Sequence, residues 1–197
     1  MKIWITLFSF LVFANSCKQR TQETDKKTVS SDTANFYPIA PFLQEQIEET
    51  DLNNLPRKCT HIKNQEKRTV NLSRDSFLLL TKNFQVPINV FTTQKHFYKE
   101  SILQDLSTQS YTLSYSTINP SCSALEYLDI LLNDKTKKVR RIEMQLTYER
   151  DSITTTEHLS WKTNKGFIIS SKQSNTKGKT QTEIWEVDWE QGKKSAL

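Results

Sequence analysis

Residues 139–162 read VRRIEMQLTYERDSITTTEHLSWK, and their alternation decides the fold. The apolar members of the first half stand at every second position: Ile142, Met144, Leu146 and Tyr148. A period of two places these side chains on one face of a strand and the polar residues between them on the other. Arg150-Asp151 then indicates a hairpin turn, and Leu159 and Trp161 point inward from a second strand over 153–162. The stretch predicts an antiparallel pair with one covered and one wet face.

The same period extends in both directions along the chain. It predicts strands over 111–116, 125–132, 139–148, 153–162, 167–173 and 180–190. Turn residues separate the later strands at 133–135, 150–151, 164–166 and 177–179. The predicted strand 125–132 carries apolar residues on both faces, which indicates that other parts of the protein cover both faces. Six consecutive strands with short links predict an antiparallel meander, which could curl into a half-barrel.

Helical periodicity precedes the strands. Pro41 suits a first helical turn, and apolar spacing continues the helix to about residue 51. After a short strand over 59–62 and a turn at Asn64, Ser73 offers an N-cap for a second helix that stops before Pro87. A third helix is predicted over 93–106. The fold class is therefore α+β, with N-terminal helices packed on one face of a roughly six-stranded antiparallel sheet.

The N-terminus has the three parts of a secretory signal. Lys2 supplies a positive charge, residues 3–13 form an apolar run, and small residues Ala14 and Ser16 precede Cys17. The run is shorter than the roughly 20 residues that span a bilayer. It resembles the lipobox of bacterial lipoproteins, which implies that residues 1–16 are removed and that Cys17 is lipidated. An ordinary cleaved signal that ends beside a cysteine is the alternative.

Composition sets the domain boundaries. Residues 18–35 are rich in Lys, Gln, Thr, Ser and Asp and nearly free of large apolar groups, which is typical of a flexible tether. Together with the lipidated Cys17 they form segment 17–35, followed by a single α+β domain over 36–191 and a tail over 192–197. This organisation predicts a protein of the cell envelope, anchored to a bacterial membrane on the periplasmic or outer-membrane side. Its expected partners are the lipid bilayer, through Cys17, and an envelope protein.

Two further cysteines remain once Cys17 is acylated. Cys59 and Cys122 would be permitted to form a disulfide in an oxidising compartment, and two independently buried thiols are the alternative. Neither belongs to a CxxC redox motif.

The chain has no recognisable catalytic or metal constellation. His61, His96 and His158 lie far apart and in no metal-ligand spacing, and the three glycines form neither a nucleophile elbow nor a phosphate loop. Glu183, Glu186 and Asp188 are assigned to the solvent side of the last strand. We therefore expect a protein that is not an enzyme, with no cofactor and no metal, and only a spatially assembled acidic hydrolase site stays open as a lesser alternative.

Charge adds one surface feature. The net charge is +5, and the longest basic cluster comprises Lys135, Lys137, Lys138, Arg140 and Arg141. A solvated hairpin end is favoured over a nucleic-acid interface, so no nucleic-acid partner is expected, although attraction to anionic lipid headgroups or acidic glycans stays open.

Aromatic residues are concentrated in the predicted strands. Trp161, Trp185 and Trp189 suit a core beneath the helices, or alternatively an apolar ligand face in a cleft between sheet and helices. A binding or interaction domain is the first functional hypothesis. A periplasmic lipid or lipoprotein carrier that uses such a cleft is the second.

Taken with Cys17 and the polar segment after it, the entry Phe36-Tyr37-Pro38-Ile39 and the ending Trp185-Glu186-Val187-Asp188-Trp189 resemble lipoproteins of Bacteroidota. The resemblance implies an envelope lipoprotein and brings no activity with it.

Overall fold

A computed structural model describes residues 36–189, which build one open antiparallel sheet of nine strands with two helices. The helices are α1 (Ile39–Leu52) and α2 (Arg74–Thr93). The strands are β1 (Arg57–Lys63), β2 (Glu66–Asn71), β3 (Tyr98–Asp105), β4 (Ser110–Thr117), β5 (Leu125–Asn133), β6 (Val139–Arg150), β7 (Ile153–Lys162), β8 (Gly166–Asn175) and β9 (Thr180–Trp189). Their order is β2-β1-β9-β8-β7-β6-β5-β4-β3, so the sheet is not closed into a barrel.

The seven strands from β3 to β9 form a meander, and the hairpin β1–β2 joins it beside β9. The turns explain the register. Asp151 and Ser152 link β6 to β7, and Asn64 and Gln65 link β1 to β2; all four have positive φ. Two central residues with positive φ define the type I′ turn, whose twist matches that of paired strands. The hairpin predicted at Arg150-Asp151 and the turn predicted at Asn64 are confirmed.

Helix α2 fills the covered side of the sheet with three phenylalanines spaced seven residues apart. Phe77 contacts Phe167 and Trp189, Phe84 contacts Trp161 and Phe167, and Phe91 contacts Tyr98 and Tyr115, with ring centroids 5.0–6.1 Å apart. Seven residues are two turns, so the three rings form one stripe on the helix. The stripe starts over β8 and β9 and finishes over β3 and β4, so α2 crosses the sheet diagonally.

The prediction of about six strands is wrong, because the sheet has nine. β1 was expected, whereas β2 was not. Every residue of β2 is exposed, and the strand has no apolar alternation because neither of its faces is covered. Backbone pairing to β1, with a side-chain hydrogen bond between Thr60 and Thr69, holds it in the sheet. A strand exposed on both faces leaves little trace in the hydrophobic pattern.

The helix predicted over 93–106 is also wrong. A short 3₁₀ turn occupies Lys95–Phe97, and edge strand β3 follows it and pairs with β4. Ile102, Leu103 and Leu106, taken as the buried side of that helix, are 62–77% exposed. Their spacing matched a helix by coincidence, and pairing along β4 satisfies the backbone instead.

Helix α2 does not stop before Pro87 but continues to Thr93. A proline inside a helix costs about 3 kcal/mol. Ile88 and Phe91 are each 1% exposed, and burying two such side chains contributes about 1.5–3 kcal/mol apiece. The packing of the last turn therefore offsets the cost of the missing hydrogen bond.

Strand β5 has one covered face and one partly exposed face, instead of cover on both sides. Leu128, Ile130 and Leu132 are buried, and a shift in pairing between Leu125 and Tyr127 brings Leu125 to the same side. The predicted signal segment, Cys17, the predicted tether and tail 192–197 lie outside the described residues. Within 36–189 no helix is both long and apolar enough to cross a membrane.

Candidate functional site

The three tryptophans of the domain lie on the helix-facing side of the sheet but in two environments. Trp161 is fully buried between Phe84 and Phe167, with ring centroids at 5.3 and 5.4 Å, and Trp189 is 3% exposed against Phe77. Both are core residues, so neither presents a surface to a ligand. Trp185 lies four residues before Trp189 on β9, about 13 Å along the strand, beyond the diagonal of α2.

Trp185 forms the base of a polar cluster. The imidazole of His61 stacks on the indole with ring centroids 3.7 Å apart and planes 13° apart. The pairing of β1 with β9 sets this contact, because His61 is the register partner of Trp185. The stack holds the imidazole ring nearly parallel to the indole, next to the Glu183 side chain.

Glu183 binds both basic neighbours on β1. His61 Nε2 lies 2.7 Å from Glu183 Oε1, and Lys63 Nζ lies 3.6 Å from Oε2. An ionised carboxylate only accepts hydrogen bonds, so Nε2 of His61 must carry the proton and donate. The carboxylate thus fixes both the ring orientation and the tautomer of His61. The side chains of His61 and Glu183 keep 24% and 30% of their surfaces exposed, which leaves the pair within reach of a ligand.

The cluster opens into a depression of about 280 Å³ at the corner formed by β1 and β2, which we call the edge depression. Its lining residues are His61, Lys63, Asn64, Glu66 and Arg68. Arg68 stands opposite His61 across the β1–β2 pair, and its guanidinium lies 3.8 Å from Glu66. Charges of both signs thus line the edge depression.

This arrangement is suited to binding. Within residues 36–189, the structure pairs no serine or cysteine with His61, so a nucleophile activated by that histidine is not assembled there. In the same range, no three His, Cys, Asp or Glu side chains converge closely enough to hold a metal ion. A polar ligand or peptide segment would find hydrogen-bond donors and acceptors together in the depression, beside the imidazole that stacks on Trp185.

This site was not predicted from the sequence, for two reasons. Glu183 was assigned to the solvent side of β9, but it shares its face with Trp185 and Val187, since the three are two residues apart; only Glu186 and Asp188 face the other way. His61 lacks any motif partner because its neighbours come from β9, more than 120 residues later. The parity of Glu183 could have been read from the sequence, whereas the β1–β9 pairing could not.

The disulfide that the sequence would permit between Cys59 and Cys122 is not formed. Cys59 and Cys122 are both free thiols, the first fully buried and the second exposed. Cys59 pairs with Val187 inside the sheet, and Cys122 lies in the 3₁₀ turn between β4 and β5. Five strand spacings separate β1 from β5, roughly 24 Å across the sheet, and a disulfide needs Cα atoms within about 7 Å. Burial also raises the pKa of the Cys59 thiol, which leaves it protonated and unreactive.

A second concavity, of about 310 Å³, lies between the two helices. It is lined by Ala40, Pro41, Leu43, Gln44, Gln85, Ile88 and Asn89. Gln85 donates to the Gln44 side chain across the groove at 2.9 Å. This hydrogen bond places two amides across the groove, so the groove offers an apolar ligand little continuous surface.

No protein-family model, curated protein or solved structure matches this chain.

Proposed function

We propose that this chain is a lipid-anchored envelope lipoprotein whose domain binds a partner through the edge depression. The anchor rests on Ala14, Ser16 and Cys17 and on the polar composition of residues 18–35. The binding role rests on one observation. Trp185, His61 and Glu183 form an ordered aromatic and charged cluster of partly buried side chains where β1 pairs with β9.

Stability alone does not account for that cluster. A partly exposed ion pair contributes about 0–1 kcal/mol, and a cross-strand aromatic pair about 0.2–1 kcal/mol. The fold has a filled core around Trp161 and Trp189, and Trp185 packs against it with only part of its surface buried. Ordering the imidazole on the partly buried indole costs side-chain entropy that binding would offset.

The ligand that fits is polar and carries both hydrogen-bond donors and acceptors, as a peptide segment of an envelope protein does. Lys63 and Arg68 would meet its carboxylates or carbonyl oxygens, and Glu66 its amides or amines. Because Arg68 and Glu66 are about 80% exposed, they would determine the rate of encounter more than the affinity.

The anchor is tested by labelling cells with a palmitate analogue. We expect label on the wild-type chain, none on Cys17→Ser, and accumulation of the precursor when the lipoprotein signal peptidase is inhibited. Equal labelling of the two chains would refute the anchor.

The binding role is tested by photo-crosslinking in the envelope of the source organism. A photoreactive side chain at Lys63 should give one discrete adduct, which disappears when His61→Ala or Trp185→Ala is added. The matched control is the same probe at Thr60, on the same strand but the opposite face. Adducts of equal yield from both positions, or none from Lys63, would contradict the proposal.

A further inference from the structure

Seven basic side chains collect at one end of the sheet. Lys135, Lys137 and Lys138 lie in the β5–β6 link, Arg140 and Arg141 at the start of β6, Lys162 at the end of β7 and Lys165 in the β7–β8 turn. We call this surface the basic end. The sequence predicted the first five as a solvated hairpin end, and the fold adds two from the next hairpin.

Two of these charges are placed directly opposite each other. Arg141 is the register partner of Lys162 across the β6–β7 pair. Like charges in such a pair repel and destabilise the sheet. Within residues 36–189, only Arg141 among the seven has a carboxylate within 4.0 Å, that of Glu143 at 3.1 Å. Glu143 compensates the charge of Arg141, and a bound anion would relieve what is left of the repulsion from Lys162.

The opposed pair borders a concavity of about 480 Å³, larger than the edge depression. Its lining comprises Leu131, Val139, Arg140, Arg141, Lys162, Thr163 and Lys165. On its other side, Arg141 pairs with Leu131 of β5. A partly exposed apolar side chain therefore lies directly beside the two opposed cations. The concavity combines cationic rims with an apolar base.

Exposed leucines adjoin the basic end. Leu106, in the β3–β4 turn, is 77% exposed, and Leu103, at the end of β3, is 65% exposed. Two hydrogen bonds join the β3–β4 turn to the basic end. Asp134 N donates to Gln109 O at 3.1 Å, and Arg140 Nη1 donates to Thr108 O at 3.3 Å. Asp105 is the nearby carboxylate of this turn, and it accepts hydrogen bonds from Ser107 and Thr108 within the turn itself.

We propose that the basic end docks on an anionic lipid surface, with Leu106 and Leu103 entering the headgroup layer and the cations meeting lipid phosphates. Apolar side chains beside clustered Lys and Arg are the combination that binds peripheral proteins to acidic membranes. The inference rests on the proposed membrane location. Residues 18–35 could span at most about 60 Å, enough for the anchored domain to turn this end toward the bilayer.

The test uses the chain from residue 18 onward, which keeps the whole described domain and lacks Cys17. Sedimentation is measured with vesicles of phosphatidylcholine alone and of an equal mixture with phosphatidylglycerol. We expect binding to the mixture only, weakened by salt. The pair Arg141→Gln and Lys162→Gln should lower the affinity about tenfold or more, since each basic residue near such a surface contributes to attraction.

The control pair is Lys172→Gln and Lys177→Gln, which removes the same charge from exposed positions at the other end of β8 and should leave binding within about twofold. Leu106→Ser keeps every charge and should weaken binding to vesicles, whereas it would leave capture of inorganic phosphate unchanged. Circular dichroism confirms that each variant is folded.

Binding to neutral vesicles as strong as to the mixture would overturn the proposal. So would equal loss in the two charge variants, or full competition by inorganic phosphate with no effect of Leu106→Ser. These readings need neither Cys17 nor the edge depression, so failure here is distinct from failure of the proposed function.

Discussion

Trp161 and Trp185 lie on the same side of one sheet, yet one is fully buried in the core and the other, at the margin of the core, is the base of a partly exposed polar cluster. Both stand at inward positions of their strands. The difference comes from α2, whose three phenylalanines cover a diagonal band from β9 to β3 and leave the corner at β1, β2 and the middle of β9 open. Strand parity assigns a face, whereas the helix that crosses that face decides which positions are core.

The covered band predicts the largest effect. Trp161→Ala should destabilise the domain by about 3–5 kcal/mol, because the cavity would lie between Phe84 and Phe167 with no route for solvent. Urea unfolding followed by circular dichroism measures the change, with Phe77→Leu as a milder control in the same cluster. A loss below 1 kcal/mol would mean that this part of the core is not packed as described.

The two cysteines test where the boundary lies between the core under α2 and the edge depression. Cys59 is fully buried only two residues before the partly exposed His61 on the same face of β1, whereas Cys122 is exposed. We expect a thiol reagent to modify Cys122 within the folded domain and to modify Cys59 only after unfolding. His61→Cys should place on β1 a thiol that the reagent modifies rapidly in the folded domain. Rapid modification of Cys59 in the native chain would place the boundary elsewhere.

On the uncovered side, substitution should affect binding and leave stability nearly intact. Trp185→Ala is expected to cost about 1 kcal/mol, since it removes a partly exposed cross-strand contact. The crosslink from Lys63 should be lost in the same variant. A loss of stability as large as that of Trp161→Ala would make Trp185 a core residue and remove the contrast.

The smallest effect concerns the carboxylate that joins the helices to β1. Asp51 accepts two hydrogen bonds from Arg74 Nε and one from Nη2, and lies 3.6 Å from Arg57. The hydrogen bond from Arg74, followed by the charges of Arg74 and Arg57, lowers the pKa of Asp51. A lowered pKa in the folded state stabilises the domain above the unfolded value of about 4 and ceases to do so as pH falls through the folded value.

We therefore expect the stability difference between wild type and Asp51→Asn to be constant above about pH 5 and to shrink below pH 4. Urea midpoints at several pH values would measure it. A difference that grows with acidity would show that Asp51 is not the group responsible.

Much of the architecture could be predicted from the sequence because a buried face leaves a periodic record. The alternation in 139–162 correctly placed β6, β7 and the turn at Asp151, and the N-cap at Ser73 correctly began α2. The strands at the two edges of the sheet were not predicted. Edge strands β2 and β3 bury little surface, and their apolar residues obey no period that the core imposes.

The site was less accessible to sequence reasoning than the fold. Trp185 was identified as a candidate, but the grouping with Trp161 and Trp189 failed because cover by α2 is a tertiary property. His61 and Glu183 meet only because β9 pairs with β1, which closes a separation of 122 residues and depends on the whole meander. Local patterning carries no information about that pairing.

Oxidation of tryptophans in the native domain tests the division of the sheet most directly. The chain from residue 18 onward, treated with limiting N-bromosuccinimide and mapped by mass spectrometry, should be modified at Trp185 well before Trp161 and Trp189. All three should react together once the domain is unfolded in urea. Equal modification in the native state, or faster reaction of Trp161, would contradict the account of a closed core beside an open edge depression.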